Sequence, residues 1–169
     1  MKAWVIAGIL LASLTVQSTI FPFLEIAGVK PDTLMMLVVS FALLAGNPTG
    51  LAVGFFGGLI QDILYGGALG YNAIMYMLVG YLLGFVYERL YIGKVILPVF
   101  FVFCSIIFRG LLMMVYHFFM RSDIRFYQGF AVVIIPEAIY SAILMPLLHF
   151  FMAGLYQRPF MSKKWSLKR

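Results

Sequence analysis

The stretch GNPTGLAVGFFGGLIQDILYGGALGYNAIMYMLVGYLLG, Gly46 to Gly84, carries ten of the chain's sixteen glycines. It lies inside a longer run, Thr33 to Tyr87, in which Asp62 is the only charged residue. A run this apolar belongs in lipid, and glycines at three- and four-residue spacing let helix backbones approach closely. A lone carboxylate beside Gln61 in such a hairpin needs a physical reason to be there.

The rest of the chain is equally apolar. Of 169 residues, 64% are hydrophobic and only 11% charged, where a soluble domain carries about 25% charge. Mean hydropathy is +1.04. The composition identifies an integral membrane protein and excludes a separate soluble domain. The organisation expected is one transmembrane helical domain over residues 1–156 and a basic cytoplasmic tail over 157–169. The net charge of +6 reads as membrane topology, because the basic residues cluster in that tail, and not as a nucleic-acid surface.

A spanning helix needs about 20 mostly apolar residues. Six segments qualify, some of them short: about Ala3–Leu24, Asp32–Ala45, Gly50–Tyr65, Asn72–Tyr87, Val95–Met120 and Tyr127–Tyr156. The first reads as a retained helix, not a cleaved signal, because no small-x-small cleavage site follows it. Pro31-Asp32-Thr33 is a helix-start signal, with Asp32 able to cap free N–H groups. Gly46-Asn47-Pro48-Thr49 is a turn signal, and Gly66-Gly67-Ala68-Leu69-Gly70 breaks the central hairpin. The fold class expected is an all-α membrane protein, a six-transmembrane-helix bundle. An even number of spans puts both termini on one side. With that side cytoplasmic, eight Lys/Arg lie inside (Lys2, Arg89, Lys94, Arg158, Lys163, Lys164, Lys168, Arg169) against three outside (Lys30, Arg121, Arg125). The expected topology is therefore multi-pass, N-in and C-in.

Arg109 falls near the middle of the fifth helix, where a charge costs roughly 2.5–3.5 kcal/mol on insertion scales. It must face the bundle interior and find a partner. Glu137, in the sixth helix, is the natural candidate, because at 1.5 Å per residue the two depths differ by about 3 Å. Such a pair either fixes helix register or lines a ligand pocket. Pro136 removes a backbone donor beside it and either kinks the sixth helix or starts its main part. Asp62 reads less as a buried charge than as an outer helix-end residue, touching water or capping the Gly66–Asn72 bend. Gly50, Gly54, Gly57, Gly58, Gly80 and Gly84 form small-xxx-small stripes for internal packing or for docking a partner's helix. His117, His149 and Cys104 have no second ligand at metal spacing, so no metal, cofactor or catalytic site is expected.

Three patches carry a resemblance. They are Gln17-Ser18-Thr19-Ile20-Phe21-Pro22-Phe23-Leu24; Val29-Lys30-Pro31-Asp32-Thr33-Leu34; and Gly54 through Gly67, GFFGGLIQDILYGG, with Leu69-Gly70-Tyr71-Asn72-Ala73 and Leu78-Val79-Gly80-Tyr81 after it. The pattern G-x-x-x-G-L-x-Q-D with a later L-G-x-N-A resembles the rod shape-determining MreD family, and Gln61, Asp62 and Asn72 match its motif positions. The C-terminal half matches in length and helix count. The resemblance implies a non-enzymatic inner-membrane component of the cell-elongation machinery that helps control cell shape and peptidoglycan synthesis. It implies MreC as a partner, alongside MreB, RodA, a class B penicillin-binding protein and membrane lipid. The fold expected is similar to the substrate-binding subunits of energy-coupling factor transporters. An alternative function is a small-molecule or lipid carrier with a pocket near Arg109 and Glu137.

Overall fold

The computed structural model describes residues 3–19, 23, 25, 28–66, 69–87, 96–119 and 130–156. Six α-helices are found among them: α1 (Ala3–Thr19), α2 (Thr33–Ala45), α3 (Thr49–Tyr65), α4 (Tyr71–Tyr87), α5 (Ile96–Phe119) and α6 (Ile135–Tyr156). A π-helical turn, Phe130–Ile134, runs directly into α6. Helices α5 and α6 each contain a stretch long and apolar enough to cross a membrane, Ile96–Val115 and Val132–Leu155, while α1 to α4 are shorter apolar helices. The basic tail, residues 157–169, and the loop charges Glu88, Arg89, Lys94, Arg121, Asp123 and Arg125 lie outside the described residues.

The shortest helix sits at the centre. α2 touches each of the other five, and every residue from Thr33 to Leu43 is buried. Because α2 is enclosed by protein, its 13 residues need not span the bilayer alone. Its first N–H groups are satisfied within the bundle: Asp32 Oδ1 accepts from Met35 N at 2.9 Å. Non-helical backbone at membrane depth is tolerated only where protein encloses it in this way. Outside this core the surface is apolar: Phe150 is 79% exposed, Leu147 74% and Ile143 69%. Water would not tolerate that much exposed hydrocarbon on one helix, and lipid does.

The hairpin of α3 and α4 is the tightest joint. A Cβ at Gly54 would collide with the backbone carbonyl of Tyr76, and one at Gly80 with the carbonyl of Gly50. A Cβ at Gly58 would lie 2.6 Å from the backbone of Asn72 and Ala73. Gly50 meets Ala42 of α2, Gly57 meets Leu34 of α2 and Leu10 of α1, and Gly84 meets Asn47. Of the two readings of these stripes, the structure uses internal packing; their faces are already occupied, so none of the six offers a groove to a partner. Lipid tails are as apolar as leucine, so helix association must come from close van der Waals contact, and glycine supplies it.

The other joints fix direction. Asp32 N donates to Ser141 Oγ at 3.0 Å, and Ser40 Oγ lies 3.4 Å from His149 Nδ1. Both contacts pair residues 109 apart in sequence, so α2 and α6 run parallel in one register. Gly110 of α5 packs against Ile134, one residue from the contact of Arg109 with Glu137, so α5 and α6 run antiparallel. Of the two readings of Pro136, the structure has the second: the main part of the sixth helix starts there, at Ile135, with Glu137 in its first turn. Lacking an N–H, it cannot bond the carbonyl of Val132, and the chain ahead of it widens into a π turn continuous with the helix.

Gly54→Leu is expected to lower the thermal midpoint of the detergent-solubilised protein by at least the 1–3 kcal/mol of ordinary overpacking, roughly. Gly8→Leu is the control, because a Cβ at Gly8 meets nothing within 4 Å. Equal midpoints for both variants would show that α3 and α4 do not pack this closely.

Candidate functional site

The charged residues within the described helices and at their caps gather into two constellations. The first is centred on Asp62, in the last turn of α3. Its own carbonyl accepts from Gly66 N at 3.1 Å and closes α3, with Gly66 in the left-handed conformation at φ 69°. Its carboxylate reaches across to the start of α4. It accepts from Gly70 N at 2.9 Å, Asn72 N at 3.3 Å, Asn72 Nδ2 at 2.9 Å and Ala73 N at 3.2 Å. Free N–H groups and the positive end of the helix dipole favour a carboxylate there. Asp62 is 1% exposed. Of the two roles expected for Asp62, contact with water is corrected and capping of the Gly66–Asn72 bend holds: Asp62 is a buried carboxylate, solvated by the first turn of α4 in place of water. Gln61, beside it, is also buried, and its Oε1 has no hydrogen-bond partner.

The second constellation joins four helices around Arg109. Its Nη2 donates to Glu137 Oε1 of α6, and its Nη1 lies 3.5 Å from Asp32 Oδ2 at the head of α2. The Arg109 and Glu137 side chains are 15% and 16% exposed and that of Asp32 2%. Tyr76 of α4, wholly buried, donates its hydroxyl to Asp32 Oδ2 at 2.7 Å. The Tyr76 hydroxyl also accepts from Arg109 Nη1 at 3.5 Å, while the guanidinium carbon stands 5.9 Å from the ring centroid, within cation–π range. Tyr71 donates to the backbone carbonyl of Arg109 at 3.3 Å. The cluster thus ties α2, α4, α5 and α6 together at one level.

The structure brings Arg109 and Glu137 together, and Gln61, Asp62 and Asn72 at the α3–α4 turn. It does not merge the two groups into one site. Sequence reasoning missed two members of the Arg109 cluster. The sequence shows Asp32 only as a cap, yet its side chain caps α2, accepts from Tyr76 and faces Arg109, while its backbone N–H is held by Ser141. Tyr76 was not singled out at all. The available signal was spacing: Tyr76 lies one turn after Asn72, on a helix rich in apolar residues, and only knowledge of which face meets α2 separates it from the other tyrosines. His149 packs against Ser40, and the His117 side chain is outside the described residues.

Two cavities are described. The larger, about 970 Å³, lies between α2 and α6 and is lined by Thr33, Met36, Tyr140, Leu144, Phe151 and Leu155 among others. The smaller, about 160 Å³, lies between α4 and α5 beside Cys104. Neither of these two cavities is lined by Arg109 or Glu137.

Arg109→Leu leaves the buried Asp32 and the partly buried Glu137 without their cation and is expected to cost about 3 kcal/mol, read as a fall in thermal midpoint in detergent. The triple change Arg109→Leu, Asp32→Asn, Glu137→Leu should recover most of that loss. An Arg109→Leu protein that unfolds at the wild-type midpoint would show that the cluster is solvated. Asp62→Ala is expected to cost about 1–2 kcal/mol through the lost cap of α4.

No curated protein and no solved structure matches the chain. The family model for rod shape-determining protein MreD matches residues 1–159, almost the whole of the 169-residue chain, so a glycine-packed, charge-pinned membrane bundle of this sequence belongs to the MreD family.

Proposed function

We propose that this chain is a non-catalytic membrane scaffold of the bacterial cell-elongation machinery, which binds the single-span protein MreC. Through that contact it helps to control cell shape and to direct peptidoglycan synthesis together with MreB, RodA and a class B penicillin-binding protein. Family membership over residues 1–159 carries the reading. The use of the polar groups supports it: Asp32, Asp62, Arg109 and Glu137 each close a joint between helices. A chain whose charges are spent in that way holds a fixed apolar outer surface, which is what a membrane docking platform requires. The excess of Lys and Arg on the proposed cytoplasmic side supports an N-in, C-in arrangement.

Complementation tests the proposal. In a rod-shaped bacterium depleted of its own MreD-family protein, the wild-type chain is expected to restore rods and to co-purify with that bacterium's MreC. Arg109→Leu should leave round cells in proportion to its loss of folded protein. Wild-type chain that accumulates folded in the membrane, yet neither restores rods nor retains MreC, would sink the reading.

A further inference from the structure

The helices of this bundle stand at unequal heights, and the contacts between them give the difference. Thr33 Oγ1 donates to Gln17 Oε1 at 2.9 Å, so α1 ends within a turn of the head of α2. Gly57 meets Leu34, and Asp62 reaches Gly70, Asn72 and Ala73, so the turn from α3 to α4 lies near that level too. The other two helices continue past it. Asp32 is level with Ser141, and from there α6 and its π turn run on to Phe130, roughly 15 Å further at about 1.5 Å per residue. Antiparallel to them, α5 passes Glu137 at Arg109 and runs on to Phe119.

Each height calls for a different membrane surface. The tall end is apolar: Gly110–Phe119 holds no Asp, Glu, Lys or Arg, and Leu111, Val115, Phe119 and Val132 are exposed. Standing in water, that hydrocarbon would stay unburied, and lipid covers it. The short end calls for water. Between α3 and α4, Gly66 and Gly70 have positive φ, Gly66 is exposed and Leu69 is 75% exposed. Irregular backbone does not face lipid within the hydrocarbon; at membrane depth it is enclosed by protein or lines water. Lys30, just ahead of Asp32, pairs with Glu25 at 3.4 Å, and both side chains are partly exposed. A flat surface set to the tall helices puts the turn and this ion pair in lipid. One set to the turn leaves the tops of α5 and α6 in water.

We infer that this chain holds a step in the bilayer and thins it on one side. Beside α1 to α4 the outer surface dips, and water and lipid headgroups enter the outer leaflet down to the level of Asp32 and the α3–α4 turn. The name outer follows the orientation proposed above. The dip approaches one leaflet, half of a hydrocarbon core about 30 Å thick. Headgroups at that level give the residual exposure of Arg109 and Glu137, 15% and 16%, a polar neighbour. The partner of this surface is therefore the outer-leaflet lipid itself.

The test needs no other protein, so either result leaves the scaffold reading standing. Full-length chain carrying Cys104→Ala is reconstituted in vesicles of phosphatidylethanolamine and phosphatidylglycerol, with Leu69→Cys or Leu111→Cys added. Gly110 packs on Ile134, about 10 Å above Ser141, so Leu111 stands higher than Leu69. It also lies about 200° round α5 from Arg109 and faces away from the bundle. In a flat bilayer the higher site meets water first. With the step, a membrane-impermeant maleimide present on both sides labels Leu69→Cys at least about tenfold faster than Leu111→Cys, because a thiol ionises readily only in water. Each variant is first shown to keep the parent's thermal midpoint, and Tyr65→Cys replaces Leu69→Cys if that one does not fold. Equal rates, or faster labelling of Leu111→Cys, show a flat surface and overturn the step. Folded protein in which neither thiol is labelled has its turn in hydrocarbon or under a second copy, and overturns it too.

Discussion

The bundle is arranged around a largely buried guanidinium, its side chain 15% exposed. Arginine keeps its charge in a protein interior, so the fold has to bring the solvent's role to it. Asp32 comes from the head of α2, Glu137 from the first turn of α6, and Tyr76 from the second turn of α4. Asp32 and Glu137 sit at helix N-termini, where a carboxylate is already favoured by free N–H groups and the local dipole. The cluster therefore does two jobs with the same atoms: it neutralises Arg109 and it caps or orients the helices that converge on it. A buried ion pair is poor evidence for stability in itself, but it is strong evidence for register, because any slip of one helix strands a charge.

The glycine hairpin solves a different problem. Charge pairing fixes register without bringing backbones close, and lipid supplies no hydrophobic drive between helices. Gly54, Gly58 and Gly80 supply the close contact between α3 and α4, and Asp62 ties the turn between them by satisfying the start of α4. The two devices meet at Tyr76, whose backbone packs on Gly54 while its hydroxyl holds Asp32. One residue thus couples the packed hairpin to the charged centre, and α2 is clamped between them.

How much of this the sequence discloses depends on the range of each interaction. Helix positions follow from apolar runs and from the punctuation at Gly46–Thr49 and Gly66–Gly70, because those are local signals. The pairing of Arg109 with Glu137 follows from depth alone, since a membrane turns sequence position into height. Depth does not give azimuth, and that is why Asp32 looked like a simple cap and why Tyr76 went unseen. Asp62 misled for a related reason. A residue in the last turn of an apolar helix lies near the membrane edge by height, and only the return of α4 over it makes it buried. The short length of α2 was visible, but the reason for it, enclosure on all sides, is a property of the assembled bundle.

The parallel register of α2 and α6 carries the functional consequence furthest. Two contacts, Asp32 with Ser141 and Ser40 with His149, hold these helices at points eight residues apart, about 12 Å along the axis. Parallel helices that are not neighbours in sequence have no loop between them to set their distance, so these polar contacts set it instead. A carrier that opened and closed around a substrate would need that distance to change, and would have to break buried hydrogen bonds at two levels to do so. The bundle places its polar bonds where they hold α2 and α6 at one distance and in one register.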